Sequence, residues 1–269
     1  MKRNLTVIGA ILLVAGILLG TIGFASVGFN PEKLQKDVNF TEKQYVVESD
    51  KVKAIKVVDV NNSIELTRSA DRNITITYFE SDKDRYEIGV GADGWLNMRY
   101  IDDRRWYEHI GINWALKDTH ITVALPADYV SDLELTTVNG TVDVKDQLAG
   151  TLRAATTNGN ISLSKVDATG EIHTSTVNGT VTLSGLKADS LVARCMNGRV
   201  QVDGVSINAS IDMSTTNGSI SGTLSGSAQD YTVSAGTVNG SSNLSNSTGG
   251  AKSLSAHTTN GSIDIRFES

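Results

Sequence analysis

Apolar and polar residues alternate one for one through most of the C-terminal half of the chain. Around "TTVNGTV" (136–142) the apolar places are Leu133 and Leu135 before the Asn-Gly pair and Val142 and Val144 after it. A period of two points successive side chains to opposite faces, so each arm reads as a short strand with one buried and one wet face. The unit occurs seven times, with the pair starting at Asn139, Asn158, Asn178, Asn197, Asn217, Asn239 and Asn260, in steps of 19, 20, 19, 20, 22 and 21 residues. Residue types recur at fixed offsets. Six places before the Asn stand Leu133, Leu152, Ile172, Leu191, Ile211, Val233 and Leu254. Two places before it stand Thr137, Thr156, Thr176, Cys195, Thr215, Thr237 and Thr258.

Asn-Gly between alternating apolar residues also signals a tight hairpin. A row of hairpins, however, needs a second tight turn in every period. The segments linking successive units are longer, and three of them carry an aliphatic at one offset (Val166, Leu186, Val205), with Leu148 one place off. A recurring apolar residue in mid-linker is another buried side of a coil. The pattern therefore predicts an all-β, single-stranded β-solenoid (a β-helix or β-roll) of about 20-residue coils, stacked in parallel with like on like. At each corner Asn and Gly are expected to supply positive φ. The seven Asn amides are expected to form an uncharged ladder down the stack.

Upstream, "VKAIKVVDVNNSIELTRSADRNITITYF" (52–79) holds a degenerate copy, with Asn62-Ser63 read in place of Asn-Gly. Residues 80–118 break the pattern and contain all three tryptophans. A stack of coils needs its ends covered, so this stretch is expected to be the N-terminal cap. Trp106, Tyr107 and His109 make it a candidate ligand platform. Arg266 and Glu268 in the closing "SIDIRFES" read as charges that discourage pairing at the far edge, which favours a monomer.

The first thirty residues are of another kind. Lys2 and Arg3 are followed by no charge until Glu32, and Leu5–Phe29 is long enough for one membrane-spanning helix. A cleavable signal peptide would have a shorter apolar core, roughly 7–15 residues. The expected organisation is a cytoplasmic stub and transmembrane anchor over 1–30, a linker over 31–51, the first degenerate coil and Trp-containing cap over 52–130, and the seven-coil solenoid over 131–269. This would place the chain in the cell membrane as a single-pass protein, N-terminus cytoplasmic and solenoid extracytoplasmic.

Composition narrows the function. The formal net charge is −6, which gives no support to nucleic-acid binding, and the single cysteine excludes an internal disulfide. On the outer columns Glu134, Arg153, His173 and Asp212 share an offset but are interrupted by Val192, as on a solvated face. His173 and His257 fall on different columns and make no metal pair. Cys195 takes an inward threonine place, so it reads as a buried, inert thiol. No catalytic residue, metal or cofactor is expected.

The repeat, together with "ITVALP" at 121–126 and the apolar N-terminal segment, resembles the putative-adhesin β-solenoid family of bacterial envelope proteins, the LiaG-like group. That resemblance implies a membrane-tethered, non-catalytic surface protein with a role in adhesion or cell-envelope stress. It transfers no catalytic residue. The expected function is an adhesin-like surface or envelope scaffold and interaction protein. Its expected partners are the lipid bilayer, through residues 5–29, and a cell-wall polymer or another envelope protein. One alternative is a carbohydrate-active enzyme or wall-polysaccharide-binding protein with its site in residues 80–118. Another is an ordered-water or ice-binding face, which the mixed outer columns argue against.

Overall fold

The computed structural model describes residues 39–102 and 119–268. Trp106, Tyr107 and His109 lie outside them, as does the 5–29 stretch. The expected single-pass membrane placement is corrected here: among the described residues, no helix is long and apolar enough to cross a membrane. Helical structure among them is limited to two 3-10 turns, Ser49–Lys51 and Ala228–Asp230.

The strands form a column of coils with two main faces. Strands that precede the Asn corner make the front face; strands that follow it make the back face. In the middle of the column the front strands are β8 (Asp132–Thr136), β11 (Leu152–Asn158), β14 (Glu171–Asn178) and β16 (Lys187–Asn197). Their back-face partners are β9 (Val142–Lys145), β12 (Ile161–Ser164) and β15 (Val181–Ser184). The long β17 (Val200–Asn217) serves both faces, ending one coil and opening the next, which β18 (Ile220–Ser225) completes. Neighbouring coils pair in parallel and in register, for example Leu152 with Leu133 and Ile172, and Ile161 with Val142 and Val181.

Two coils are out of chain order. At the C-terminal end, β20 (Lys252–Asn260) lies between β17 and β19 (Tyr231–Asn239), so the last coil in sequence is the second-last in the column. Its back strand, β21 (Ile263–Glu268), pairs with β18 on one side and, through Ile263, with Ser242 on the other. The N-terminal end mirrors this. The degenerate coil of β2 (Ala54–Val58) and β3 (Ser63–Ser69) is inserted between β8/β9 and a coil made of β6 (Trp95–Asp102) and β7 (His120–Pro126). Antiparallel strands then close that end. β5 (Asp84–Val90) covers β6, β4 (Asn73–Glu80) covers β7, and β1 (Thr41–Glu48) covers β4. Within the stretch 80–118 read as an interruption, β6 is thus one strand of a further coil and β5 is part of its cover.

The core is a set of stacked aliphatic columns. Leu133, Leu152, Ile172, Leu191, Ile211 and Leu254 are each at most 2% exposed, as are Val142, Ile161, Val181, Val200, Ile220 and Ile263 behind them. Each such side chain contributes about 1.5–3 kcal/mol of transfer free energy. Val166, Leu186 and Val205 fill the third side. The first coil puts Gln147 at that place, since Leu148 pairs with Asp167; Gln147 is buried and donates Nε2 to the Lys145 carbonyl at 3.0 Å.

Positive φ occurs at a second corner that the sequence pattern did not reveal. Asp146, Lys165, Gly185 and Gly204 have φ of 52°, 53°, 59° and 58°, one per coil just before the third side. At the Asn-Gly corner the asparagines have negative φ, so the expectation made for them is corrected. Glycine is needed there for another reason, developed below.

Candidate functional site

The Asn-Gly corner is a bonded seam that runs from the degenerate coil to the C-terminal end. Each Asn Nδ2 donates to the Oδ1 of the Asn one level nearer the N-terminal end. The chain of donors is Asn239 to Asn260 (2.7 Å), Asn260 to Asn217 (2.7 Å), Asn217 to Asn197 (2.8 Å) and Asn197 to Asn178 (2.9 Å). It continues from Asn178 to Asn158 (2.8 Å), Asn158 to Asn139 (3.0 Å) and Asn139 to Asn61 (2.9 Å). The degenerate copy is thereby re-registered: Asn61, not Asn62, holds the ladder place, and Asn62 stands where the other coils have glycine.

Inside the ladder, the threonine column bonds to the glycine column. Thr156 Oγ1 donates to the Gly140 carbonyl at 2.8 Å, Thr176 to Gly159 at 2.9 Å, Thr215 to Gly198 at 2.9 Å and Thr258 to Gly218 at 2.8 Å. Cys195 substitutes its thiol, donating to the Gly179 carbonyl at 3.1 Å, and burial pushes its pKa up. The glycines stack so closely that a Cβ at Gly179 would stand 2.0 Å from the Gly159 oxygen, and one at Gly218 would stand 1.7 Å from the Gly198 oxygen. At these regular corners a side chain would strike the backbone of the neighbouring level, about 4.8 Å away.

At the N-terminal end the seam changes chemistry. Asp59 occupies the threonine place of the degenerate coil and is 1% exposed. Its carboxylate accepts from the backbone N–H groups of Asn61 and Asn62 and from the Tyr86 hydroxyl. Asn62 Nδ2 donates to the Tyr86 oxygen at 2.8 Å, and Thr119 donates to Asn62 Oδ1. Burial first, and then the Asp59 charge, hold the Tyr86 phenol far above its ordinary pKa. Tyr86 packs edge-on against Tyr78 and Tyr100, with ring centroids 5.3 and 5.8 Å away. A buried carboxylate satisfied by backbone donors and a phenol secures the end of the seam. The "DVNN" signal for it was present in the sequence, as an Asx-turn residue ahead of a corner.

The outward side of the front face is the broad open surface. The charged column is dispersed along it: Lys56 pairs with Glu134 at 3.0 Å, and Arg194 reaches diagonally to Asp212 at 3.1 Å. His173 is half-buried beside Arg153. Burial, then the Arg153 charge, lower its pKa. His257 lies two columns away from it, toward the ladder, with Nε2 3.3 Å from Ser234 Oγ. Among the described residues, no group of three or more His, Cys, Asp or Glu side chains is placed to hold a metal. Directly beside the ladder runs a different column, holding Val60, Val138, Thr157, Val177, Met196, Thr216, Thr259 and Val238. Val60 and Val138 are 37% exposed, Met196 51% and Val238 75%. Beyond these four, only Val46 and Val130 are exposed large hydrophobics among the described residues. At the C-terminal end the face becomes uncharged, and Gly236, level with Ser214 and His257, leaves a shallow notch.

Parallel coils with bonded corners, a continuous core and one long open face define a solenoid-type all-β protein. The Toastrack DUF4097 family model matches residues 52–269, and the chain belongs to that family. Among solved structures, a putative adhesin from Bacteroides fragilis is similar at 16% identity with a TM-score of 0.50, covering 86% of this chain and 99% of that one. A putative adhesin from Parabacteroides distasonis is similar at 12% identity with a TM-score of 0.48, over 87% and 99%. A putative cell adhesion protein from Clostridium sporogenes is similar at 10% identity with a TM-score of 0.41, over 86% and 100%. At such identities the likeness concerns the fold alone. No curated protein matches the sequence.

Proposed function

We propose that the protein is a non-catalytic, adhesin-like surface scaffold that binds an extended partner, a wall polymer or another envelope protein, along the outer front face. One observation carries this reading. Of the six exposed large hydrophobics among the described residues, four fall in a single column next to the Asn ladder. Exposed apolar groups scattered singly need no explanation, but a row flanked by polar columns marks a contact surface. The ladder amides add to it, since each Asn keeps one N–H and one lone pair beyond those used between levels. Sites of this kind recur at the spacing of the coils, which suits a linear partner with repeating polar groups. The adhesin descriptions of the similar structures agree with this reading.

The test is retention of the full chain on purified wall-polymer fractions and on immobilised envelope proteins. Wild type is expected to be retained by at least one of these. A Val138→Glu, Met196→Glu double variant with an unchanged melting temperature is expected to bind at least about tenfold more weakly. Failure of wild type to bind any of them, or equal binding by the folded variant, would refute the proposal.

A further inference from the structure

The C-terminal coil is seated in a way that no coil of the middle stack shares. Residues 252–268 come last among the described residues, yet β20 is paired along both of its edges, to β17 and to β19. Asn260 bonds to Asn217 on one side and accepts from Asn239 on the other. Thr258 donates to the Gly218 carbonyl, and the Gly261 carbonyl accepts from Thr237 at 2.8 Å. Leu254, Ala256, Ile263 and Ile265 go into the core, none more than 2% exposed.

The slot that holds this coil has two walls of one design. Thr215 and Asn217 on β17 and Gly218 just after it are matched by Thr237 and Asn239 on β19 and Gly240 just after it, facing β20 in the same register and Gly261 from either side. The slot between these walls is the same in every copy of the chain, so it can take the last coil of its own chain or that of another. The connection from β19 to the last coil ends in adjacent glycines, Gly249 (φ 99°) and Gly250, which suit a hinge. The inserted coil at the N-terminal end has no such glycines: 49–53 and 70–72 join it to β1 and β4, which are themselves paired.

We propose that residues 252–268 act as a detachable donor coil that occupies the slot of a second copy of this chain, giving a strand-exchanged dimer. Every bond made within one chain is remade between two, so exchange costs association entropy and little else. The proposal goes beyond the reading of the front face and does not rest on it.

Disulfide trapping in the full chain tests this. Thr216 and Thr259 are exposed and stand level between the pairs Thr215–Thr258 and Asn217–Asn260 of β17 and β20, and Thr157 and Val177 stand level between Thr156–Thr176 and Asn158–Asn178 of β11 and β14. Directly paired strands bring Cα atoms within disulfide reach, roughly 4.4–6.8 Å. In a Cys195→Thr background, a Thr216→Cys, Thr259→Cys variant would be unfolded, refolded at high and at low concentration, separated by size and oxidised. The expected result is a dimer that grows with refolding concentration and runs as a covalent dimer on a denaturing, non-reducing gel, while the monomer fraction closes within its own chain. A Thr157→Cys, Val177→Cys variant treated alike is expected to close within one chain in both fractions. Absence of a dimer, a dimer that falls to monomers after complete oxidation, or covalent dimers from the Thr157 and Val177 pair would overturn the proposal.

Discussion

Two of the corners recur at fixed places in the regular coils, and they obey different rules. The Asn-Gly corner keeps its two residues through all seven regular copies. The second corner holds Asp146, Lys165, Gly185 and Gly204 in turn, at φ between 52° and 59°. The first corner is constrained by what stacks on it: a carbonyl oxygen that leaves no room for a Cβ, and a side-chain amide bonded above and below. The second is constrained only by its own backbone. Left-handed φ costs a non-glycine residue about 1–2 kcal/mol, which a packed coil can absorb. Contact between levels enforces identity, whereas a backbone angle alone enforces only a preference.

Substitutions can break or sharpen this contrast. Gly179→Ala should be the most damaging, because its Cβ would meet backbone 2.0 Å away and the levels would have to part. A loss above about 3 kcal/mol in denaturant unfolding is expected. Asn217→Ala removes two ladder bonds and should cost about 1–2 kcal/mol, against less than about 0.5 for its exposed neighbour in Thr216→Ala. Equal melting-temperature losses for that pair would show that the amides are idle. At the second corner, Gly185→Ala should cost about 1 kcal/mol and Lys165→Gly should gain up to about that much. A loss in the second case would mean that the Lys165 side chain contributes more than its backbone strain removes. A small gain is expected for Cys195→Thr, which restores the hydroxyl used in the other regular coils and should stabilise by about 0.5 kcal/mol in the same unfolding measurement.

The regular middle was legible because a bonded column repeats its residue types in the chain. Leu133, Leu152 and Ile172 announce one another at a fixed interval, and so do the Asn and Thr places. What escaped was whatever does not repeat. The second corner needs an angle, and Asp, Lys and Gly reach it without sharing a side chain. The degenerate copy was set one residue late because Asn61-Asn62-Ser63 offers two asparagines, and only the pairing of Asn139 with Asn61 decides between them. The order of coils at both ends was hidden for an opposite reason. The copies are so alike that either wall of the slot accepts the same strand, so no residue type marks which neighbour is chosen. Arg266 and Glu268, read as guarding the far edge, lie on β21, which meets the next coil through the bridge of Ile263 with Ser242. The apolar column beside the ladder was visible letter by letter, but Val138, Met196 and Val238 gain meaning only once they share a face.

The donors of the amide seam all point one way, from Asn239 toward Asn61. Seven small dipoles set head to tail add rather than cancel, much as peptide units do along an α-helix. The column is therefore electrically polarised along its length without carrying a charge on the seam. Its electron-rich pole is the Asn239 oxygen, on the side away from Asn260 and next to the uncharged end of the front face. A hydrogen-bond donor or a cation arriving at that tip meets an acceptor strengthened by every rung behind it.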